Sequence, residues 1–252
     1  MSRFKVYSDA SGTVNSTLIS IGDQAVIVVD TQASEEGGRL VLNQVEGQLL
    51  FVFNTHEHHD HIGGNPLFDC RIISSTAAQE AMVADNVSAG LPNCHFDEQL
   101  HMHTGGEEIR LQHFGGHCPG ASVMYLPQRR LLLTGDLIFN GRAPWMGQAD
   151  FPTWIAALAE LSTWDVETVV PGHGPVGGKE LLREQQTMLQ NFVADVQGWQ
   201  HAAKTEAEMI ALAAERYGVK PNWYDMLRMA FKCVPRPLQV KVMPSLSKHR
   251  RG

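Results

Sequence analysis

The segment Thr55-His56-Glu57-His58-His59-Asp60-His61-Ile62-Gly63-Gly64-Asn65 constrains this 252-residue chain more than any other. Three histidines and an aspartate stand in the register H-x-H-x-D-H, directly after the apolar run Leu49–Phe53. Imidazole nitrogen and carboxylate oxygen are the ligand types that suit zinc and other borderline divalent metals. A loop leaving a rigid strand can bring His56 and His58 to one ion and turn Asp60 and His61 toward a second. Every residue from His56 to His61 is of a metal-ligating type, which a merely solvated loop does not explain. Gly63 and Gly64 are expected to let the backbone bend tightly after the ligands.

Three further residues stand in comparable places. His117 follows the run Ile109–Phe114, Asp136 follows Leu131-Leu132-Leu133, and His173 follows Thr168-Val169-Val170. Each is expected just past the end of a strand and beside a glycine. Loops of this kind can meet at one edge of a sheet framework, where sites are grafted onto rigid elements. His59 occupies the variable position of the motif and is expected to face solvent. His101-x-His103 lies in a segment without an acidic companion and stays outside the site.

The surrounding pattern is β-rich, then helical. Ser16–Ile21 and Gln24–Asp30 read as a hairpin about Gly22-Asp23. Residues 34–46 read as a helix, 49–53 as a buried strand and 71–74 as a short one. Thr76 with Gln79 predicts a capping box opening a helix through Val83. Residues 85–105 show no clear period and read as a long loop. Strands resume over 108–114, 121–126 and 130–134, followed by a helix over 152–161 and a strand over 166–170 ended by Pro171-Gly172. From Lys179 onward the β signal disappears. Thr205 with Glu208 predicts a second capping box, Gly218 a helix stop, and Pro221–Cys233 one more helix. Residues 244–252 read as a frayed tail. The division expected is a catalytic unit over 1–200 and a helical extension over 201–252, packed on or near the active-site cleft.

Composition narrows the function. A formal charge of −7 lacks the basic footprint of a general nucleic-acid binder, which argues against that partner. No apolar run approaches the ~20 residues needed to cross a bilayer, so no membrane partner is expected. The N-terminus has no signal-peptide pattern, and Cys70, Cys94, Cys118 and Cys233 form no CxxC pair. The expected setting is the cytoplasm with free thiols.

The order His56-x-His58-x-Asp60-His61, His117, Asp136 within Thr-Gly-Asp and His173 within Pro-Gly-His-Gly resembles the metallo-β-lactamase superfamily. The resemblance spans residues 55–175 in its motifs and about the first two hundred residues in its elements. It implies a four-layer αββα sandwich, with the helical extension at the C-terminus. It also implies that His56, His58 and His117 bind one metal, that Asp60, His61 and His173 bind a second, and that Asp136 bridges them. A carboxylate at the bridging position is the arrangement similar to glyoxalase II and lactonases, and departs from β-lactamases that carry cysteine or serine there. Cys118 reads as a structural neighbour.

The expected cofactors are two zinc ions, with iron or manganese accepted by the same donors. The expected activity is hydrolysis of a small thioester, lactone or related ester or amide by a bridging hydroxide, with Asp60 moving the proton to the leaving atom. Family analogy alone supplies that substrate list. Two other branches stay open: a mononuclear iron persulfide dioxygenase and a phosphodiesterase or nuclease. The partner is a small-molecule substrate. Arg142, Trp145 and Met146 are candidates for the cleft wall, as are Trp199, Trp223, Tyr224, Met226 and Met229. The helical C-terminus offers a surface for a homodimer.

Overall fold

The structure, a computed structural model, describes residues 4–8 and 14–235. Two sheets face each other. The first has six strands in sequential order: β1 (Phe4–Ser8), β2 (Asn15–Ile21), β3 (Ala25–Val29), β4 (Gln48–Phe53), β5 (Ile72–Ser75) and β6 (Cys94–Phe96). The second has five: β11 (Thr168–His173), β10 (Leu131–Phe139), β9 (Ser122–Leu126), β8 (Glu107–His113) and β7 (Gln99–Thr104). The β1–β3 strands pair antiparallel, and β3 to β6 pair parallel. In the second sheet only β10 and β11 are parallel.

Period-2 alternation assigns each apolar run to two cores. Ile27, Val29, Phe51 and Phe53 meet Leu111, Met124, Leu131 and Leu133 between the sheets. Val26, Val28 and Val52 face outward beneath Val41 of helix α1 (Glu35–Leu42). On the other side Val123, Leu132 and Val169 pack under α4 (Phe151–Leu161) and α5 (Glu180–His201). The layers are therefore helix, sheet, sheet, helix, as the resemblance implies. Strands buried on both faces read as continuous apolar runs, which is how 49–53 appears in the sequence.

Two short helices, α2 (His59–Ile62) and α3 (Thr76–Ala84), follow β4 and β5. The C-terminal helices α6 (Glu206–Tyr217) and α7 (Tyr224–Cys233) share a core with α4 and α5 through Met209, Ile210, Leu227 and Phe231. The Thr205–Glu208 capping box forms as expected, and Gly218 caps α6 at φ 67°.

Several local expectations are corrected. Residues 85–105 are not one loop, because β6 and β7 lie within them. The β6 strand has three residues, too few for a period, and β7 is an edge strand whose histidines 101 and 103 both face outward. The cap of α3 is Ser75, whose Oγ accepts from the Ala78 N–H, and Thr76 is the first helical residue. Pro171-Gly172 does not end β11, which continues to His173. The helix over 221–233 begins as a 3-10 turn, Pro221–Trp223. The tail over 244–252 lies outside the described residues.

Candidate metal centre

The seven expected ligands come from five elements and converge at one end of the two sheets. His56 and His58 lie in the turn after β4, and Asp60 and His61 on α2. His117 sits between β8 and β9. Asp136 and His173 lie within β10 and β11, not beyond them. The pairing of β10 with β11 shifts register between Leu133 and Gly135 and again before Phe139, which re-aims the Asp136 side chain.

The glycines after the motif work by size. Gly63 and Gly64 have ordinary right-handed backbone angles, φ −60° and −88°. A Cβ on Gly64 would stand 2.2 Å from the Thr31 carbonyl oxygen and 2.6 Å from the Cα of Gly38. Close approach of α2 to the β3–α1 connection, not a sharp bend, requires glycine there.

The polar atoms form two adjoining groups. His117 Nε2 lies 3.1 Å from His58 Nδ1, with His56 beside them. His61 Nε2 lies 3.4 Å from His173 Nε2 and 3.7 Å from Asp60 Oδ2, and His173 Nε2 is 3.4 Å from that same oxygen. Asp136 reaches both. Its Oδ2 is 3.6 Å from His56 Nε2, 3.5 Å from His117 Nε2 and 3.2 Å from His173 Nε2, while Oδ1 is 3.1 Å from His61 Nε2. Tetrahedral zinc with bonds of about 2.0–2.1 Å separates its ligand atoms by roughly 3.3 Å. The spacings match that edge length.

Two further observations suit a cation. His56 Nε2, which faces Asp136 at 3.6 Å, is buried without a hydrogen-bond partner. Native interiors rarely leave such atoms unpaired unless an ion or water serves them. The charge states agree. Burial, reinforced by neighbouring histidines, holds His56 below its usual range and drives His117 down to about 3. Both rings are neutral, with a lone pair to give. Burial would raise the Asp136 carboxyl, but His173, His61 and His56 outweigh it and hold it ionised. Asp60 is likewise depressed despite its burial, by His61 and His173. Burial pulls His173 down, yet Asp136 and Asp60 lift it to about 9, so a proton there balances the carboxylates as a cation would. The donor set fits divalent metal.

A second layer fixes the rings. Asp30 is buried and sits at φ 59°. Its Oδ2 lies 2.8 Å from His61 Nδ1 and accepts from the Thr55 hydroxyl at 2.8 Å; its Oδ1 accepts from the Thr55 N–H at 2.8 Å. Thr55 Oγ1 is in turn 2.9 Å from His56 Nδ1. Of the sequence neighbours, Thr55 thus touches a site imidazole, Glu57 accepts from the Gly120 N–H and the Cys118 thiol, and Asn54 bonds Asn65. Burial and Glu57 push the Cys118 thiol up, so it stays protonated. Sequence reasoning missed the part played by Asp30. Its signal was an acid ending an apolar strand. It also missed Gln148, whose Oε1 is 2.8 Å from His58 Nε2, and that residue left no signal.

The centre opens into a cavity of about 460 Å³. Exposed His59, half-buried Asp60, Arg142, Trp145 and Trp223, and the edge of buried Phe139 line it. Trp145 edges the His58 ring at 5.0 Å, and Phe139 stacks on His173 at 4.8 Å. The Arg142 guanidinium lies 4.9 Å over the Trp223 ring, so a residue between α6 and α7 reaches the cleft. Met146 is fully buried and belongs to the core with Met226; Trp199 and Tyr224 pack against that core. Met229 is exposed.

An αββα sandwich carrying a buried histidine–carboxylate centre at the sheet edge defines a metal-site scaffold. The family model described as the metallo-beta-lactamase superfamily matches residues 11–72 and 96–173, and the chain belongs to that superfamily. A type 2 metallo-beta-lactamase of Bacteroides fragilis is 25% identical over 188 residues, 70% of this chain and 75% of that protein. An acyl-coenzyme A thioesterase of Homo sapiens is 24% identical over 187 residues, 62% of this chain and 64% of the relative. A solved sec-alkyl sulfatase structure shares the fold with a TM-score of 0.71 at 18% identity, over 93% of this chain and 48% of its own. Among the described residues no helix is long and apolar enough to cross a membrane.

Proposed function

We propose that this protein is a dinuclear metallohydrolase, with zinc as its metal, that cleaves a small thioester, lactone or related ester or amide. One observation carries the proposal: Asp136 lies within 3.6 Å of imidazole nitrogens from both ligand groups. His56, His58 and His117 would hold one ion, Asp60, His61 and His173 the other, and Asp136 would join them. Bound divalent cations supply an acidified water and polarise a carbonyl oxygen. The remaining work falls to the chain.

Asp60 is ionised, 42% exposed and turned into the cavity, where it can take a proton from the nucleophile and return it to the leaving atom. Trp145, Phe139 and Trp223 offer apolar faces that would exclude water from the acyl portion. The Cys118 thiol donates to Glu57 Oε2, which supports a structural role for it.

The test joins metal quantitation to a substrate panel of thioesters, lactones, β-lactams, sulfate esters and phosphodiesters. Two zinc ions per chain and turnover of thioesters or lactones are expected, with His58→Ala and Asp136→Ala losing metal and turnover together. One iron per chain with oxygen-dependent turnover, or activity confined to phosphodiesters, would overturn the reading.

A further inference from the structure

The three imidazoles of the first ligand group are not held alike. His56 and His117 are buried, whereas His58 is half-buried in the turn after β4. The Thr55 hydroxyl donates to Asp30, so its oxygen can accept from His56 Nδ1 and leave Nε2 facing Asp136. His58 has the opposite orientation. Its Nδ1 faces His117 Nε2 at 3.1 Å, and its Nε2 points away from the site to Gln148 Oε1 at 2.8 Å. The ring nitrogen that serves the site is therefore set by a residue 90 positions further along the chain.

The grip comes from the segment 145–148, between β10 and α4. Met146 is fully buried and anchors it in the core. On either side of that anchor, Trp145 edges the His58 ring at 5.0 Å and Gln148 meets its Nε2. Gly147 must be small for this, because a Cβ there would stand 2.6 Å from Trp145 Cζ2. His58, Trp145 and Gln148 all line the metal cleft, so one segment is both cleft wall and support for a ligand. The chemistry of the ring decides which end of the amide it meets. An amide nitrogen would donate to Nε2, move the ring proton to Nδ1 and aim it at the place where an ion would sit. The amide oxygen accepts the Nε2–H and leaves the Nδ1 lone pair toward the site.

We propose that Gln148 is a positioning residue: it holds His58 as the Nε2–H tautomer and ties the affinity of the first ion to the wall of the cleft. The proposal rests on the metal-centre reading above. The second group takes its support from elsewhere, through Asp30 on His61, so the loss of Gln148 should fall on one ion and not on both. Gln148 is exposed, and a substitution there leaves the core untouched.

Two variants test it. Gln148→Met keeps the length of the side chain and removes the acceptor; Gln148→Glu keeps an acceptor as a carboxylate. Stepwise zinc affinities are read by competition with a chromophoric chelator. Gln148→Met should weaken one ion by about 10–100-fold and leave the other unchanged, while Gln148→Glu should bind that ion at least as tightly as wild type. A second readout is proton NMR of the cobalt-loaded protein, in which the His58 Nε2–H is a paramagnetically shifted, exchangeable signal. That proton should exchange with water at least about tenfold faster in Gln148→Met than in wild type. A loss shared equally by both ions, or one that Gln148→Glu does not rescue, would show that Gln148 acts by packing alone and would overturn the proposal. Two tightly held ions in both wild type and Gln148→Met would remove this proposal and leave the metal centre standing. A wild-type chain that binds no zinc would remove both.

Discussion

Asp30 shows how much a single side chain arranges. Its two oxygens take the Thr55 N–H, the Thr55 hydroxyl and the Nδ1 side of His61, and Thr55 passes the contact on to His56. A carboxylate behind an imidazole sets which ring nitrogen faces the site and raises its basicity. The backbone at φ 59° tolerates asparagine as well as aspartate. Asp30→Asn is therefore expected to fold normally and to weaken zinc binding by about 10–100-fold. Competition against a chromophoric chelator measures this, and an unchanged affinity would show that Asp30 does not position the ring. Gly172 is constrained just as locally: a Cβ there would stand 2.0 Å from Asp136 Oδ1, so the glycine of the Pro-Gly-His-Gly segment makes room for a site carboxylate.

Among the elements, those with strong local signals were legible and those shaped by distant contacts were not. The capping box of α6 was readable because both partners lie within four residues of each other. Thr205→Ala removes the Oγ that accepts from the Glu208 N–H and should cost about 1 kcal/mol. A fall in the urea midpoint at constant slope would register it; an unmoved midpoint would mean that α6 draws its stability from packing alone. The runs that became β3, β4, β10 and β11 were legible because burial on both faces leaves a continuous apolar stretch. The β6 strand was not, since three residues at a sheet edge carry no period and pair only because β5 lies beside them. The extension of β11 through Pro171-Gly172 was hidden for a related reason: its pairing with β10 overrides a turn-forming dipeptide. The seven site residues were readable in order because each follows an apolar run. Asp30 and Gln148 were not, because their partners lie 25 to 90 residues away.

At the scale of the whole molecule, the centre links parts of the chain that are far apart in sequence. His56, His58, Asp60 and His61 follow the first sheet, and Asp136 and His173 belong to the second. A metal bound there would join both sheets, and α5 to α7 pack against the second through the core that also holds Trp154 and Leu158. Such a ligand stabilises the folded chain in proportion to its binding, because the unfolded chain has no assembled site. At a free metal concentration a thousandfold above the dissociation constant, one ion contributes about 4 kcal/mol. For a chain of this size each kcal/mol moves the melting temperature by about 2–4 °C. Chelation should therefore lower the melting temperature by roughly 8–16 °C for each ion lost, and zinc should restore it. The loss should also be smaller in Asp136→Ala, whose ligand groups have lost their shared carboxylate. A melting temperature indifferent to chelator and to added zinc would mean that the buried cluster holds no metal of structural consequence. The unpartnered Nε2 of His56 would then need another explanation.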